Sequence, residues 1–263
     1  MTQFFLYLDR DTWVHHLDPR TKVLGVLALF ALALMFSDPW LLLPLAGFIA
    51  WLLTVAGAWR NVQRLWMLLA LLFVYCLLLW PFFVQGRTPW LAVGSHLLTV
   101  EAVQYGLAMG LRLDLMLLAG LLLLSTTTIE EFTLALQRLG LPATMGFALA
   151  LAFRWVPSLI GSAGQIVQAQ RSRGLDLRGG HLLARVRRYV PLIIPLIGHS
   201  LRQTQMLAMA LESKGYGPGI RRQPYLVLRF RPADYVVLGL LLGLLLVGWW
   251  LRLRGYGTVP VSF

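Results

Sequence analysis

Two triplets hold the residues most able to do chemistry in this chain, Ser172-Arg173-Gly174 and Ser213-Lys214-Gly215. Each closes a long amphipathic run with a cation and then a glycine. A helix that reaches a glycine can stop there, because glycine accepts the left-handed conformation of a C-terminal cap. The cation just before it lies against the negative end of the helix dipole and projects from a stiff rod. The chemistry on offer is electrostatic docking. Two rods with one positive charge each suit two acidic sockets on a partner, which is expected to be soluble and cytosolic.

Other chemistry finds little support, and no catalytic residue is expected. The phosphate loop Gly-x-x-x-x-Gly-Lys-Ser/Thr does not occur, so ATP-derived energy has to come from another subunit. The serines and threonines lack the neighbourhoods of activated nucleophiles. The five histidines show no ligand spacing beyond the adjacent pair His15-His16, whose rings diverge on a helix, so no metal site is expected. Arg112 and Asp114 form the one polar site inside an apolar run, where charge is costly. Two residues apart, they do not face each other on a helix. Structural pairing with neighbouring helices and a role in docking or gating both remain open for them. Glu101-Ala102 with Gly106 mimics the Glu-Ala-Ala...Gly signature of ordinary ABC permeases, but the topology puts it on the outer side, away from any ATPase.

The elements that must position these residues are mostly membrane helices. The chain has 263 residues, 58% of them hydrophobic, with a mean hydropathy of +0.71, too apolar for a soluble domain. Apolar runs near 21–37, 39–59, 66–84, 102–125 and 233–251 each approach the roughly 20 residues that a helix needs to cross a bilayer. The fold class expected is an all-α membrane protein with about five transmembrane helices and a cytoplasmic module of long amphipathic helices. The first ten residues, too short and with Asp9 among them, do not resemble a signal peptide, and the first span is expected to act as an uncleaved anchor. Cys76, the single cysteine, reads as a buried hydrophobe and excludes a disulfide framework.

Orientation follows from Lys and Arg. Arg10, Arg20 and Lys22 precede the first span, Arg60 and Arg64 lie in the second loop, and fourteen bases lie between Thr127 and Pro232, whereas Arg87 stands alone in the third loop. The N-terminus is therefore expected in the cytoplasm and the C-terminus outside, with Arg221, Arg222, Arg229 and Arg231 beside the last span on the inner side. Trp40, Trp80, Trp249 and Trp250 fall near outer ends of spans, and Trp59 and Trp66 near inner ends, as interfacial rings should. The division expected is a membrane region over 1–126, a coupling-helix module over 127–232, and a final span and tail over 233–263.

The segment 127–232 has only four acids, Glu130, Glu131, Asp176 and Glu212, against its fourteen bases. An anionic inner leaflet accounts for most of that excess. Nucleic acid is not an expected partner, because the bases are spread along apolar helices without a recognition motif. Thr128 with Glu130 and Glu131 starts one short helix. A second, from Ala143 to Arg173, should bend at Pro157, and a third, from about Leu182 to Lys214, at Pro191 and Pro195. In the third, Leu183, Val186, Val190, Ile193, Ile197, Leu201 and Leu211 form an apolar stripe. Arg154-Trp155-Val156-Pro157 echoes Arg188-Tyr189-Val190-Pro191, one echo ahead of each tip.

Taken in order, four stretches resemble one family: Leu17-Asp18-Pro19-Arg20-Thr21-Lys22, Leu139-Gly140-Leu141-Pro142, Ala169 to Asp176, and Leu211 to Gly217. That family is the transmembrane T component of energy-coupling factor (ECF) transporters of the prokaryotic cell membrane, which includes the Q proteins of cobalt and nickel uptake. The resemblance implies two cytosolic ABC ATPase subunits that bind the ATP, docked at Ser172-Arg173-Gly174 and Ser213-Lys214-Gly215. It also implies a separate substrate-binding S-type membrane subunit, to which motion passes through the stretches near Pro157, Pro191 and Pro195. Substrates of the family are vitamins or transition metals, and the T component has no cofactor and no enzymatic activity of its own. Lys214 departs from the family's central Arg, losing the planar fork while keeping the charge. The alternative is an ABC permease carrying its own substrate path, for which Arg112, Asp114 and Gln104 are the only hints.

Overall fold

In a computed structural model the chain is described over residues 7–257, apart from 9, 85, 87, 94–95, 176–181 and 217–229. Arg87, Asp176, Arg221, Arg222 and Arg229, all named above, lie outside the described residues, as does His181, one of the five histidines. The elements run α1 (Pro19–Met35), α2 (Pro39–Ala56), α3 (Trp59–Phe83), a two-stranded hairpin β1 (Pro89–Val93) and β2 (His96–Thr99), α4 (Val100–Thr126), α5 (Ile129–Arg138), α6 (Ala143–Ser172), α7 (Leu182–Ser213) and α8 (Pro232–Leu253). The antiparallel hairpin pairs Val93 with His96 and Pro89 with Thr99. It was not expected from the apolar pattern. Otherwise the described elements are helical.

Five of the described helices are long and apolar enough to cross a membrane: α2, α3, α4, α6 and α8. The number agrees with the sequence reading but one member differs. At 17 residues α1 is shorter than the other spans, while α6, assigned to the coupling module, qualifies with the lowest mean hydropathy of the five, 1.4 against 1.9 to 2.3.

The described chain forms two compact units. Met1–Gly140 and Leu228–Phe263 make the first, and Leu141–Val227 the second. The boundary thus falls after α5 rather than before it, because α5 packs on α1. Helix α5 starts as its sequence dictates, with the Thr128 hydroxyl accepting the Glu131 N–H at 3.2 Å and the Glu131 carboxylate accepting the Thr128 N–H at 3.1 Å.

Within the first unit, α4 is the central helix, against which α1, α2 and α3 pack, while α8 lies on α1. Gly106 and Gly110 let α3 approach closely. A Cβ on Gly110 would stand 2.9 Å from the Phe73 ring, and one on Gly106 3.3 Å from the Cys76 carbonyl. Leu42, Ile49, Leu53, Ala108, Leu115 and Ala119 fill the α2–α4 core.

One end of this unit is polar and buried. Asp18 caps α1 by accepting the Arg20 N–H at 2.9 Å, with Pro19 in the first turn, as the sequence indicates. The Asp18 N–H in turn donates to Asp234 Oδ1 at 2.8 Å, and Asp234 Oδ2 accepts the Arg231 N–H at 2.7 Å. One fully buried carboxylate therefore ties together the starts of α1 and α8. Lys22 Nζ donates to the His15 and Thr126 carbonyls, each at 2.8 Å, and Asn61 Nδ2 donates to Ser125 Oγ at 2.8 Å. His15 Nε2 lies 3.1 Å from the Leu8 carbonyl and must carry the proton there, leaving Nδ1 to accept from the Thr12 hydroxyl at 2.7 Å. Burial, followed by the Lys22 charge, holds the His15 pKa below the ordinary histidine value. The folded state favours the neutral ring, so acidification through the ordinary histidine range works against this corner.

Asp234→Ala should leave the buried Asp18 N–H and the part-buried Arg231 N–H without acceptors, and the buried donor alone should cost about 1–3 kcal/mol. Thermal unfolding of the detergent-solubilised protein should show a lower midpoint for Asp234→Ala, while Tyr235→Ala on the exposed neighbouring position stays near the parent.

Candidate docking tips

The two Ser-base-Gly triplets end α6 and α7 with one and the same backbone motif. At the end of α6, the Gly174 N–H donates to Arg171 O at 3.0 Å and the Leu175 N–H to Gln170 O at 3.0 Å. At the end of α7, the Gly215 N–H donates to Glu212 O at 2.9 Å and the Tyr216 N–H to Leu211 O at 2.8 Å. These are paired Schellman caps with the cation as the last residue before the glycine. Gly174 has φ 88° and Gly215 φ 74°, in the left-handed region that a side chain disfavours. Ser172 Oγ donates to Gln168 O at 3.1 Å and Ser213 Oγ to Ala210 O at 3.0 Å, so both hydroxyls return their proton to their own helix. Arg173 and Lys214 are exposed and, among the described residues, neither enters an ion pair.

Helices α6 and α7 run antiparallel. Phe147 near the start of α6 meets Tyr216 just past the end of α7, with ring centroids 4.7 Å apart. Further along, Gln203 Nε2 donates to Ser158 Oγ at 3.4 Å, and Ser162 Oγ lies 3.1 Å from His199 Nε2. Each advance on α6 is a retreat on α7. The Lys214 tip therefore sits near the start of α6 and the Arg173 tip near the start of α7. Along the pair the tips stand about 40 Å apart at 1.5 Å per residue.

Half-buried positions on α7 follow Leu196, Ser200, Gln203, Leu207 and Leu211, and these face α6. Most of the apolar stripe read from the sequence points elsewhere: Val190, Ile193, Ile197 and Leu201 are exposed, as are Met145, Phe153, Val156 and Ile160 on α6. The side chains of Leu183 and Val186 lie outside the described residues. An unpartnered apolar surface of this extent marks a site for another protein or for lipid. Pro157, Pro191 and Pro195 lie inside helices that continue through them. Pro157 adjoins the Ser158–Gln203 contact, while Pro191 and Pro195 lie eight and four residues before His199.

A third helix ends in the same way. At the end of α8 the Gly255 N–H donates to Arg252 O and the Tyr256 N–H to Leu251 O. There, however, Arg254 stacks over the Trp250 ring at 3.9 Å, and the neighbouring Gly257 carbonyl accepts the Ser37 N–H. The cap alone does not distinguish the candidate tips, nor does exposure, which Arg254 shares; the stacking of Arg254 on its own helix does.

Arg112 and Asp114 are not brought together. The Arg112 guanidinium reaches the end of α1, donating to Phe36 O at 2.5 Å and Ser37 Oγ at 3.1 Å. Asp114 is half-buried, and among the described residues its Oδ1 has no hydrogen-bond partner. Neither residue, nor Gln104, lines either of two apolar cavities described in the first unit. Glu101 instead accepts the Thr88 hydroxyl at 2.7 Å next to the hairpin. Among the described residues no three His, Cys, Asp or Glu side chains gather into a metal-holding cluster. Asp234 and the two Lys22 contacts escaped the sequence reading. The acid in the first turn of α8 was its only local signal.

Comparison with known proteins identifies the family of the chain. The family model for CbiQ, cobalt transport protein, matches residues 10–226. The energy-coupling factor transporter transmembrane protein EcfT of Thermanaerovibrio acidaminovorans is 34% identical over 251 residues, covering 89% of this chain and 90% of its own. EcfT of Thermosediminibacter oceani is 32% identical over 256 residues, with 92% and 94% covered.

Among the described residues nothing lies within 4 Å of a Cβ built on Gly174 or Gly215, so replacement there tests backbone conformation. Gly174→Ala and Gly215→Ala should each cost roughly 1 kcal/mol in the left-handed conformation. Amide hydrogen exchange should accelerate at Gly174 and Leu175 in the first variant and at Gly215 and Tyr216 in the second, with the middle of each helix unchanged.

Proposed function

Since the chain belongs to the CbiQ family, as the transmembrane coupling subunit of an energy-coupling factor transporter, we propose that its two cationic tips dock into two cytosolic ABC ATPase subunits, one tip to each. The ATPases bind and hydrolyse ATP; this chain holds no cofactor and carries out no reaction. The outward apolar faces of α6 and α7 engage a separate substrate-binding S-type membrane subunit, which selects a vitamin or a transition metal. Closing and opening of the ATPase pair moves the tips, and the helices pass that motion on through the turns around Pro157, Pro191 and Pro195.

The observation that carries this reading is the pair of identical caps at opposite ends of an antiparallel helix pair, each presenting an exposed cation that has no ion-pair partner among the described residues. A single socket could not receive both, because about 40 Å of helix separates them. The multi-pass protein sits in the prokaryotic cell membrane with its N-terminus in the cytoplasm and its C-terminus outside. That orientation places the basic segment, and with it both tips, on the side where ATP is available. Lys214 supplies a point charge at the second socket where Arg would supply a fork.

Arg173→Ala and Lys214→Ala should each remove one charged group from a buried contact, at a cost of about 2–5 kcal/mol. Co-expression with the ATPases and mild-detergent purification should show weakened assembly and loss of transport, with membrane insertion unchanged. Lys214→Arg should restore assembly if the socket is generically acidic and weaken it if the socket is built around an ammonium. An Arg173→Ala protein that recovers both ATPases in parental stoichiometry and transports normally would exclude the first tip from docking.

A further inference from the structure

The coupling role leaves unused an apolar cavity at the polar end of the first unit. It has a volume of about 200 Å³, with Phe48 and Trp51 of α2 on one wall, Val237 and Leu240 of α8 on the other, and Gly25 and Leu122 among the residues beneath. A second cavity of about 300 Å³ continues between α2 and α8, lined by Leu45 and Leu244, and shares Phe48 with the first. The two follow α1 along most of its length. Trp51, Leu240 and Val236 on the rim are more than half exposed on the membrane face.

The first cavity is apolar except where Thr21, Lys22 and Thr126 line it, and the Thr126 hydroxyl already donates to Leu122 O at 2.8 Å. Thr21 is 1% exposed, and among the described residues its hydroxyl has no hydrogen-bond partner. A helical threonine usually returns its proton to a carbonyl one turn back. Lys22 uses two of its three N–H groups on the His15 and Thr126 carbonyls. The polar end therefore offers donors and awaits an acceptor. Glu131, Asp234 and Asp18 already act on the Lys22 charge. A further full anion is disfavoured beside three carboxylates, whereas a neutral carbonyl oxygen suits the place.

We infer that this cavity is a lipid site, in which one acyl chain of a bilayer glycerophospholipid lies between α2 and α8 and its ester carbonyl accepts a hydrogen bond from Thr21. The depth is suitable, since Thr21 is the third residue of α1 and shares the cavity with Trp13 and Trp51, whose rings favour the membrane interface where ester groups lie. Any groove facing lipid fills with some chain; this one is held in register by its carbonyl.

The test uses the full chain in vesicles of phosphatidylethanolamine and phosphatidylglycerol, with a trace of phospholipid that carries a photoreactive diazirine on one acyl chain. Label should concentrate on Phe48, Trp51, Leu52, Val237 and Leu240, relative to the exposed α3 residues Leu71 and Leu78. Thr21→Val, which keeps the shape and removes the donor, should lower that ratio about fivefold, equivalent to about 1 kcal/mol at 1.4 kcal/mol per tenfold. Val237→Phe, which fills the space from the α8 wall, should lower it with Thr21 intact. An even distribution over α3 and the cavity, or an unchanged ratio in either variant, would overturn the site. Displacement of the label by free oleate but not by unlabelled phospholipid would overturn the assignment to a glycerophospholipid.

Discussion

Polar groups shut away from water at one end of the helix bundle constrain everything else in the first unit. Asp234 is fully buried, yet both its oxygens accept backbone N–H groups, one from Asp18 and one from Arg231. A carboxylate with two such donors is stabilised by charge-assisted bonds and fixes two helix starts at once. Lys22 does the converse with two carbonyls, joining α1 to the end of α4. Because the starts of α1, α3 and α8 and the ends of α2 and α4 converge here, the up-and-down order of the helices and their relative depth are set by a few bonds. Apolar packing alone would let such helices slide, since lipid is as apolar as their flanks.

The second unit obeys a different rule. Helices α6 and α7 pair through a narrow line of residues that includes serine, histidine and glutamine, and turn much of their apolar surface away. Measured as a fold in isolation this is wasteful, because apolar area left exposed contributes nothing to stability. It is intelligible if the missing contacts belong to other chains or to the bilayer. The polar line gives the antiparallel pair a defined register, and that register decides which end each tip occupies. Schellman caps then finish both helices in the same way, so the difference between tips reduces to a guanidinium against an ammonium.

What could be read in the sequence was local. Caps at Asp18, Thr128, Gly174 and Gly215 depend on residues within one turn, and each is found where the residue types place it. Apolar runs located α2, α3, α4 and α8 because a bilayer imposes a length on them. Non-local relations were not readable. Nothing in the periodicity of α7 says which face meets α6, and the stripe that looked like a core face is largely exposed, since an apolar face marks a contact without naming the chain that makes it. Asp234 and Asp18 are 216 residues apart, and only the folded chain shows that one holds the other. In the sequence helix α5 falls in the segment that follows the fourth apolar run, whereas its packing on α1 joins it to the first unit.

The short first helix explains the intramembrane arginine. With 17 residues α1 rises about 25 Å, while the 27 residues of α4 rise about 40 Å, so α1 stops well before its neighbour does. Its end is packed against α4, with Phe36 buried, and a carbonyl left there without a donor would be expensive. Arg112 donates to Phe36 O, and Arg252 donates to Met35 O from α8. Both cations also complement the negative end of the α1 dipole. An arginine in mid-helix, which sequence alone leaves divided between structure and gating, thus has a sufficient structural reason: it closes a helix that ends inside the membrane unit. Asp114, two residues on, shares none of these contacts, and the two charges belong to separate problems.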